Sequence, residues 1–167
     1  MVSLQTSRQR ARAIAAAVPD PEIPVLNVVE MGIVRSVHAD ASQLEVKITP
    51  TYMGCPAMDA IADDIRTNLT PLAEEEGKSL SIELVYAPAW TTDWLTEAAR
   101  EKLERYGIAP PGTTADKRAL NGALPEVRCP HCRSGDTDMV SLFGSTACKA
   151  HYRCNDCSEP FDHFKCI

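Results

Sequence analysis

Thr49-Pro50-Thr51-Tyr52-Met53-Gly54-Cys55-Pro56 separates two segments of different periodicity. Ahead of it, Leu44, Val46 and Ile48 alternate with Glu45, Lys47 and Thr49, the pattern of a strand with one buried face. Behind it, Met58, Ile61, Ile65, Leu69 and Leu72 recur at helical spacing and form one apolar stripe. Pro56 suits the first helical position, since its φ is already helical and its missing N–H needs no partner there. Cys55 is thereby expected at or next to the N-cap, facing unpaired amides and the positive end of the helix dipole. A thiol so placed is expected to ionise more readily than a free one, and a thiolate is both nucleophile and metal ligand. The alternative is a small buried hydrophobe, a common fate of unpaired cysteines.

Upstream, Leu4, Ala11, Ile14, Ala15 and Val18 mark a first helix, with Arg8, Arg10 and Arg12 on its other side. This basic start and the alanine-rich run after it have a superficial likeness to a signal peptide. The run is short and stops at Pro19-Asp20-Pro21, so a helix is the better reading. Three prolines stiffen the loop that follows, and two carboxylates, Asp20 and Glu22, sit in it. They could bind a metal, although a solvated loop is the default expectation. Ile33–His38 reads as a strand entered through Gly32, and Asp40-Ala41-Ser42-Gln43 turns the chain back.

Downstream, Thr70-Pro71 and Glu74-Glu75-Glu76-Gly77 are expected to close the central helix, and Leu80, Ile82 and Leu84 alternate as a third strand. Strand, helix, strand implies a crossover between parallel neighbours. Thr91-Thr92-Asp93 offers N-cap side chains for a last helix through Arg105, with Leu95, Ala98, Ala99 and Leu103 inward and Gly107 as its left-handed end. Trp90 and Trp94 flank its start and are expected to seal the sheet edge. The expected fold is α/β (α+β): a small sandwich of three helices on a short mixed sheet over residues 1–108, in the order α-β-β-α-β-α. A linker over 109–125, opened by Pro110-Pro111-Gly112, leads to a β module over 126–167.

That module carries Cys129-Pro130-His131-Cys132 and Cys154-Asn155-Asp156-Cys157. Two residues between ligands let one tight knuckle aim both sulfurs at one ion, and two knuckles supply the tetrahedral shell of structural zinc. So short a module buries little apolar surface, and the metal is expected to supply most of its folding energy. Cys148 and Cys166 are left over. They are either core residues or reserve ligands, and six cysteines together could hold an iron–sulfur cluster instead of zinc. A redox dithiol is disfavoured, since one CxxC would suffice for it.

The formal net charge is −6. Up to Pro125 there are 12 basic against 17 acidic residues, and after it 5 against 6. Neither part has the basic excess that nucleic-acid binding requires, and no apolar run approaches membrane-spanning length. Clustered CxxC pairs without a secretory signal point to a reducing cytoplasm.

Asp20-Pro21-Glu22-Ile23-Pro24, Met31-Gly32-Ile33-Val34 and Thr51-Tyr52-Met53-Gly54-Cys55-Pro56 together resemble the SufT-like iron–sulfur assembly domain. Pro88-Ala89-Trp90-Thr91-Thr92-Asp93-Trp94, Phe143-Gly144-Ser145-Thr146-Ala147-Cys148-Lys149, Tyr152-Arg153-Cys154 and Pro160-Phe161-Asp162-His163-Phe164-Lys165-Cys166 resemble its PaaD branch, so that nearly the whole chain is covered. The resemblance implies a place beside the multicomponent phenylacetyl-CoA epoxidase of aerobic phenylacetate catabolism. That enzyme has a di-iron component and a reductase with flavin and a 2Fe–2S cluster. The family's cysteine maps onto Cys55, and its acidic loop onto Asp20 and Glu22. Most assembly domains lack the appended ribbon, so pathway transfers more securely than mechanism.

The leading expectation is a non-catalytic maturation factor for the epoxidase, in which Cys55, with Asp20 and Glu22, holds or passes on iron or an iron–sulfur cluster. The ribbon would then be a zinc docking module bound through Cys129, Cys132, Cys154 and Cys157. Partners are the epoxidase components, above all the reductase, and a homodimer is allowed. The alternative is a stoichiometric structural subunit of that complex. A regulatory nucleic-acid-binding ribbon is disfavoured by charge. An enzyme in its own right is disfavoured because no histidine is visibly placed as a base for Cys55 and no phosphate-cradling loop occurs.

Overall fold

The alternation around Val46 becomes β2 (Gln43–Ile48), whose Leu44, Val46 and Ile48 are buried. A computed structural model describes residues 4–112 and 126–165. The fold divides between Trp90 and Thr91.

In the first unit α1 (Leu4–Ala15) precedes β1 (Val34–Ala39), then β2, α2 (Ala57–Glu75) and β3 (Ser79–Leu84). The sheet order is β1-β2-β3. β1 runs antiparallel to β2, whereas β3 runs parallel to it with Val46 opposite Ile82. The parallel pair requires the crossover through α2, which lays Ile61, Ile65, Leu69 and Leu72 on the buried side. Pro71 does not end this helix as expected; it lies on the exposed face inside it. Inward Leu69, Leu72 and Ala73 keep the helical path, and beside the proline the Thr70 hydroxyl donates to the Arg66 carbonyl at 2.8 Å.

α1 packs on β1 and α2. Arg10 reaches Glu75 at 2.6 Å, and half-hidden behind it Lys78 donates to Glu76 at 2.8 Å and to Ser7 at 3.0 Å. Gly32 has φ 71°, a left-handed turn into β1 that explains a glycine there. Trp90 is buried and donates its indole N–H to the Met31 carbonyl at 2.8 Å, so it closes this unit from within.

The second unit begins with a 3₁₀ turn at Thr92–Trp94 and continues as α3 (Glu97–Tyr106), β4 (Ile108–Ala109), β5 (Thr137–Ser141), β6 (Lys149–Cys154) and β7 (Pro160–Phe164). The third helix, expected on the first sheet, instead contacts β4. Its cap is Thr96, whose side chain accepts from the Ala99 amide at 3.1 Å, rather than Thr91-Thr92-Asp93. Leu95, Ala99 and Leu103 are buried as expected, but Ala98 is exposed. Gly107 ends the helix at φ 89° in the left-handed region.

β4 lies where the sequence reading placed the start of a linker. It pairs parallel to β7, giving a mixed sheet in the order β4-β7-β6-β5. Its two residues are both buried, which is too short a signal for periodicity to reveal. Residues 113–125 of the expected linker lie outside the described residues. Val127, Ala150, Tyr152 and Phe161 fill the core around Cys129 and Cys154.

Candidate functional site

Cys129, Cys132, Cys154 and Cys157 bring their four sulfurs within 4.8 Å of one another, the one such grouping of three or more metal-ligating residues among the described residues. The first pair sits on a turn before β5, in which the Arg133 amide donates to the Cys129 carbonyl at 2.8 Å. The second pair ends β6, and there the Cys154 amide donates to the Glu159 carbonyl at 3.0 Å. Arg133 and Ser158, each one residue past a knuckle, both have φ 64°, so the chain doubles back tightly at the two places.

Sulfur separations are 3.7 Å for Cys129–Cys157 and 3.5 Å for Cys132–Cys154. A tetrahedral zinc with bonds of about 2.3 Å has sulfur–sulfur edges of about 3.8 Å, so the donor set fits that ion. The amide of Cys157 holds the Cys154 thiol down to about 7. Cys157 rises to about 12, since burial and the neighbouring sulfurs outweigh the amide of Glu159 and favour the neutral thiol. Four thiols this close cannot all ionise until a cation compensates them.

Cys148 is not part of this group. It is buried on the approach to β6, with the Thr146 hydroxyl 3.0 Å from its sulfur. Cys166 lies outside the described residues. The histidines are also engaged elsewhere or lie apart. His163 is buried and donates through Nδ1 to the Ala109 carbonyl at 3.1 Å, and burial pulls its pKa down to about 4. His151 Nδ1 lies 3.3 Å from Asp162. His131 is exposed and does not belong to the group of four, and its ring lies where a side chain at residue 107 would reach.

In the first unit, Gly54 at φ 79° turns the loop, and the Cys55 amide closes it onto the Tyr52 carbonyl at 3.2 Å. Pro56 is the residue before α2 and offers no side-chain cap. The Ala57 amide and the Tyr52 hydroxyl instead act on the Cys55 sulfur, each favouring its thiolate. The expected position at the helix start is thus found within one residue.

The expected ease of ionisation is not. The Cys55 thiol is pushed above its ordinary range, chiefly by burial, with the carboxylates of Glu22 and Asp20 adding to the rise. The helix amide opposes this and loses. Both carboxylates act on the thiol electrostatically across more than 30 residues of chain, but they and Cys55 do not gather as the ribbon sulfurs do. Asp20 is buried, contrary to a solvated loop, and its Oδ1 accepts the amides of Glu22 and Ile23 at 2.8 Å each. Tyr52 is the contributor that the sequence reading passed over. Its place three residues before Cys55, in a loop reversed by glycine, was the available signal.

No helix of the described residues is long and apolar enough to cross a membrane. Residues 8–82 match the iron–sulfur cluster assembly protein family, and residues 113–165 match the PaaD zinc β-ribbon domain. A protein of Escherichia coli (strain K12) named as one of the subunits of 1,2-phenylacetyl-CoA epoxidase is 47% identical over 93% of this chain and 90% of its own length. An Fe–S protein maturation auxiliary factor of Porphyromonas gingivalis is 35% identical over 60% of this chain and 92% of its own. The crystal structure of a DUF59 domain from Bacillus anthracis superposes with a TM-score of 0.55 at 26% identity, over 60% of this chain and 93% of that one. An assembly-type α+β domain and a four-cysteine zinc ribbon therefore stand in one polypeptide, and the chain belongs to the PaaD family.

Proposed function

We propose that this protein is a non-catalytic maturation factor that brings iron or an iron–sulfur cluster to the multicomponent phenylacetyl-CoA 1,2-epoxidase. The observation that carries the reading is the surroundings of Cys55, a lone thiol held by an amide and a tyrosine beside two carboxylates and separate from the zinc-type cluster. At neutral pH the thiol is protonated, which protects it from oxidants and electrophiles. Burial chiefly keeps it so, and the carboxylates that add to this also attract a cation, which displaces the thiol proton on binding.

One thiolate and two carboxylates do not complete the four-ligand shell of a cluster. Cys55, Asp20 and Glu22 also do not converge as the four ribbon sulfurs do. An open site of this kind suits cargo that is shared with an acceptor and then released. The ribbon supplies a metal-stabilised docking module, and the reductase component is the acceptor with the matching need for a 2Fe–2S cluster.

Cys55→Ser tests this reading. The expected result is an epoxidase reductase purified with its flavin but with a several-fold deficit of cluster iron. Full cluster loading and full ring-epoxidising activity in the variant would overturn the proposal. A second reading, a stoichiometric structural subunit, is favoured by the name of the Escherichia coli relative. It predicts stable co-purification with the other components in equal amounts, whereas a maturation factor leaves the complex once it is loaded.

A further inference from the structure

Two sulfur contacts in the ribbon cross from one knuckle to the other, Cys129 to Cys157 at 3.7 Å and Cys132 to Cys154 at 3.5 Å. Each joins a sulfur in the core to one nearer the surface: Cys129 and Cys154 are buried, Cys157 is half-buried and Cys132 is exposed. The knuckles are also held together by bonds that involve no sulfur. The Asn155 amide donates to the Asp136 carbonyl at 2.9 Å, and its side chain donates to the carboxylates of Asp136 and Asp138 at 2.8 and 3.1 Å. The Ser134 hydroxyl donates to Asp156. Within each knuckle the backbone closes on itself, through the Cys129 amide on the Ser134 carbonyl at 2.9 Å and the Cys154 amide on the Glu159 carbonyl at 3.0 Å. The chain's own bonds therefore hold the two sulfur pairs opposite each other, in addition to any ion between them.

We infer that the ribbon is a redox-sensitive lock with two closed forms: four thiolates on a metal ion, or two nested disulfides, Cys129–Cys157 and Cys132–Cys154, with the ion released. The oxidant is of the peroxide class. The thiolate of the more accessible sulfur, Cys132 or Cys157, takes one peroxide oxygen and becomes a sulfenic acid, and hydroxide leaves. The thiolate of its buried partner attacks that sulfur, the S–S bond forms, and the oxygen departs as a second hydroxide. Two pairs give up four electrons to two molecules of hydrogen peroxide, and the disulfide sulfurs no longer hold the ion. Pairing across the knuckles lets the fold survive that release. Each crosslink ties the turn before β5 to the end of β6, as bound metal does, whereas a bond within one CxxC leaves the knuckles unjoined. The crosslinked residues are 28 and 22 apart in the chain, so both bonds restrict the unfolded state. Cys148 takes no part, being buried against the Thr146 hydroxyl. The inference concerns the ribbon alone and holds whatever Cys55 does.

Titration of the zinc-loaded full chain with hydrogen peroxide tests it. A chromogenic chelator is expected to detect one zinc released per chain for two molecules of peroxide consumed. Trypsin without reductant cuts after Arg128, Arg133, Arg153 and Lys165, which parts one knuckle from the other. The peptides Cys129–Arg133 and Cys154–Lys165 are expected as one joined species lacking four hydrogens, with fragmentation placing the two bonds as stated. The NMR amide signals of β6 and β7 are expected to persist in the oxidised, zinc-free chain, and dithiothreitol with added zinc to restore the starting form. Cys148→Ser is expected to give the same release and the same bonds. Two separate peptides, each with an internal bond, overturn the inference. So do sulfinic or sulfonic acids in place of disulfides, zinc retained at a large excess of peroxide, or loss of the β6 and β7 signals on oxidation.

Discussion

Cys55 shows how position and electrostatics can point in opposite directions at one residue. The helix amide is present, yet burial and the carboxylates of Glu22 and Asp20 hold the thiol protonated. Alkylation of Cys55 by iodoacetamide, in protein whose ribbon cysteines are metal-bound, should therefore rise with a midpoint above that of a free thiol. Glu22→Gln removes one of the opposing charges and should move the midpoint to lower pH, as read from peptide mass spectra across a pH series. His163 offers a second test. Its folded pKa of about 4 lies below the unfolded value, so the unfolded chain takes up the proton first. Its contribution is whole above the unfolded pKa and is lost as pH falls toward about 4, by about 3 kcal/mol at most. His163→Gln should flatten the stability–pH curve in that window relative to the wild type, measured by denaturant unfolding with zinc in excess.

At the scale of elements, periodicity carried the reading where elements are long and failed where they are short. The alternation in β2 and the stripe of α2 each occupy enough residues to be unmistakable, and both are found where the pattern put them. β4 has two residues, and a strand that short is defined by its partner β7, which lies more than 50 residues away. The start of α3 was misplaced because Thr91, Thr92 and Thr96 are all acceptable caps. What decides among them is that Thr92–Trp94 is taken up by a 3₁₀ turn. Thr96→Ala should cost about 1 kcal/mol by denaturant unfolding, and Thr91→Ala much less. The site was legible in the same uneven way. CxxC spacing picks out the four cysteines whose sulfurs the fold groups, whereas the influence of Asp20 and Glu22 on Cys55 depends on tertiary folding that no local pattern contains.

For the molecule as a whole, the two units are stabilised by different means. The first buries a continuous apolar layer between α2 and its sheet. The second has a small core with two of the four sulfur ligands inside it, so bound metal counts directly toward its folding free energy. Native mass spectrometry should give one zinc per chain for the wild type and for Cys148→Ser, and none for Cys154→Ser. Chelation under reducing conditions should abolish the amide signals of β4 to β7 in NMR spectra while those of α1 to β3 persist. Loss of both sets together would show that the first unit depends on the metal as well.

β4 has one more consequence, for how the protein can be cut. Because the chain pairs with β7 before it reaches the first knuckle, the sheet of the ribbon takes one of its strands from sequence ahead of Gly112. A fragment begun at Glu126 would lose a sheet strand and the helix before it, whereas one begun at Thr91 keeps every strand of its sheet.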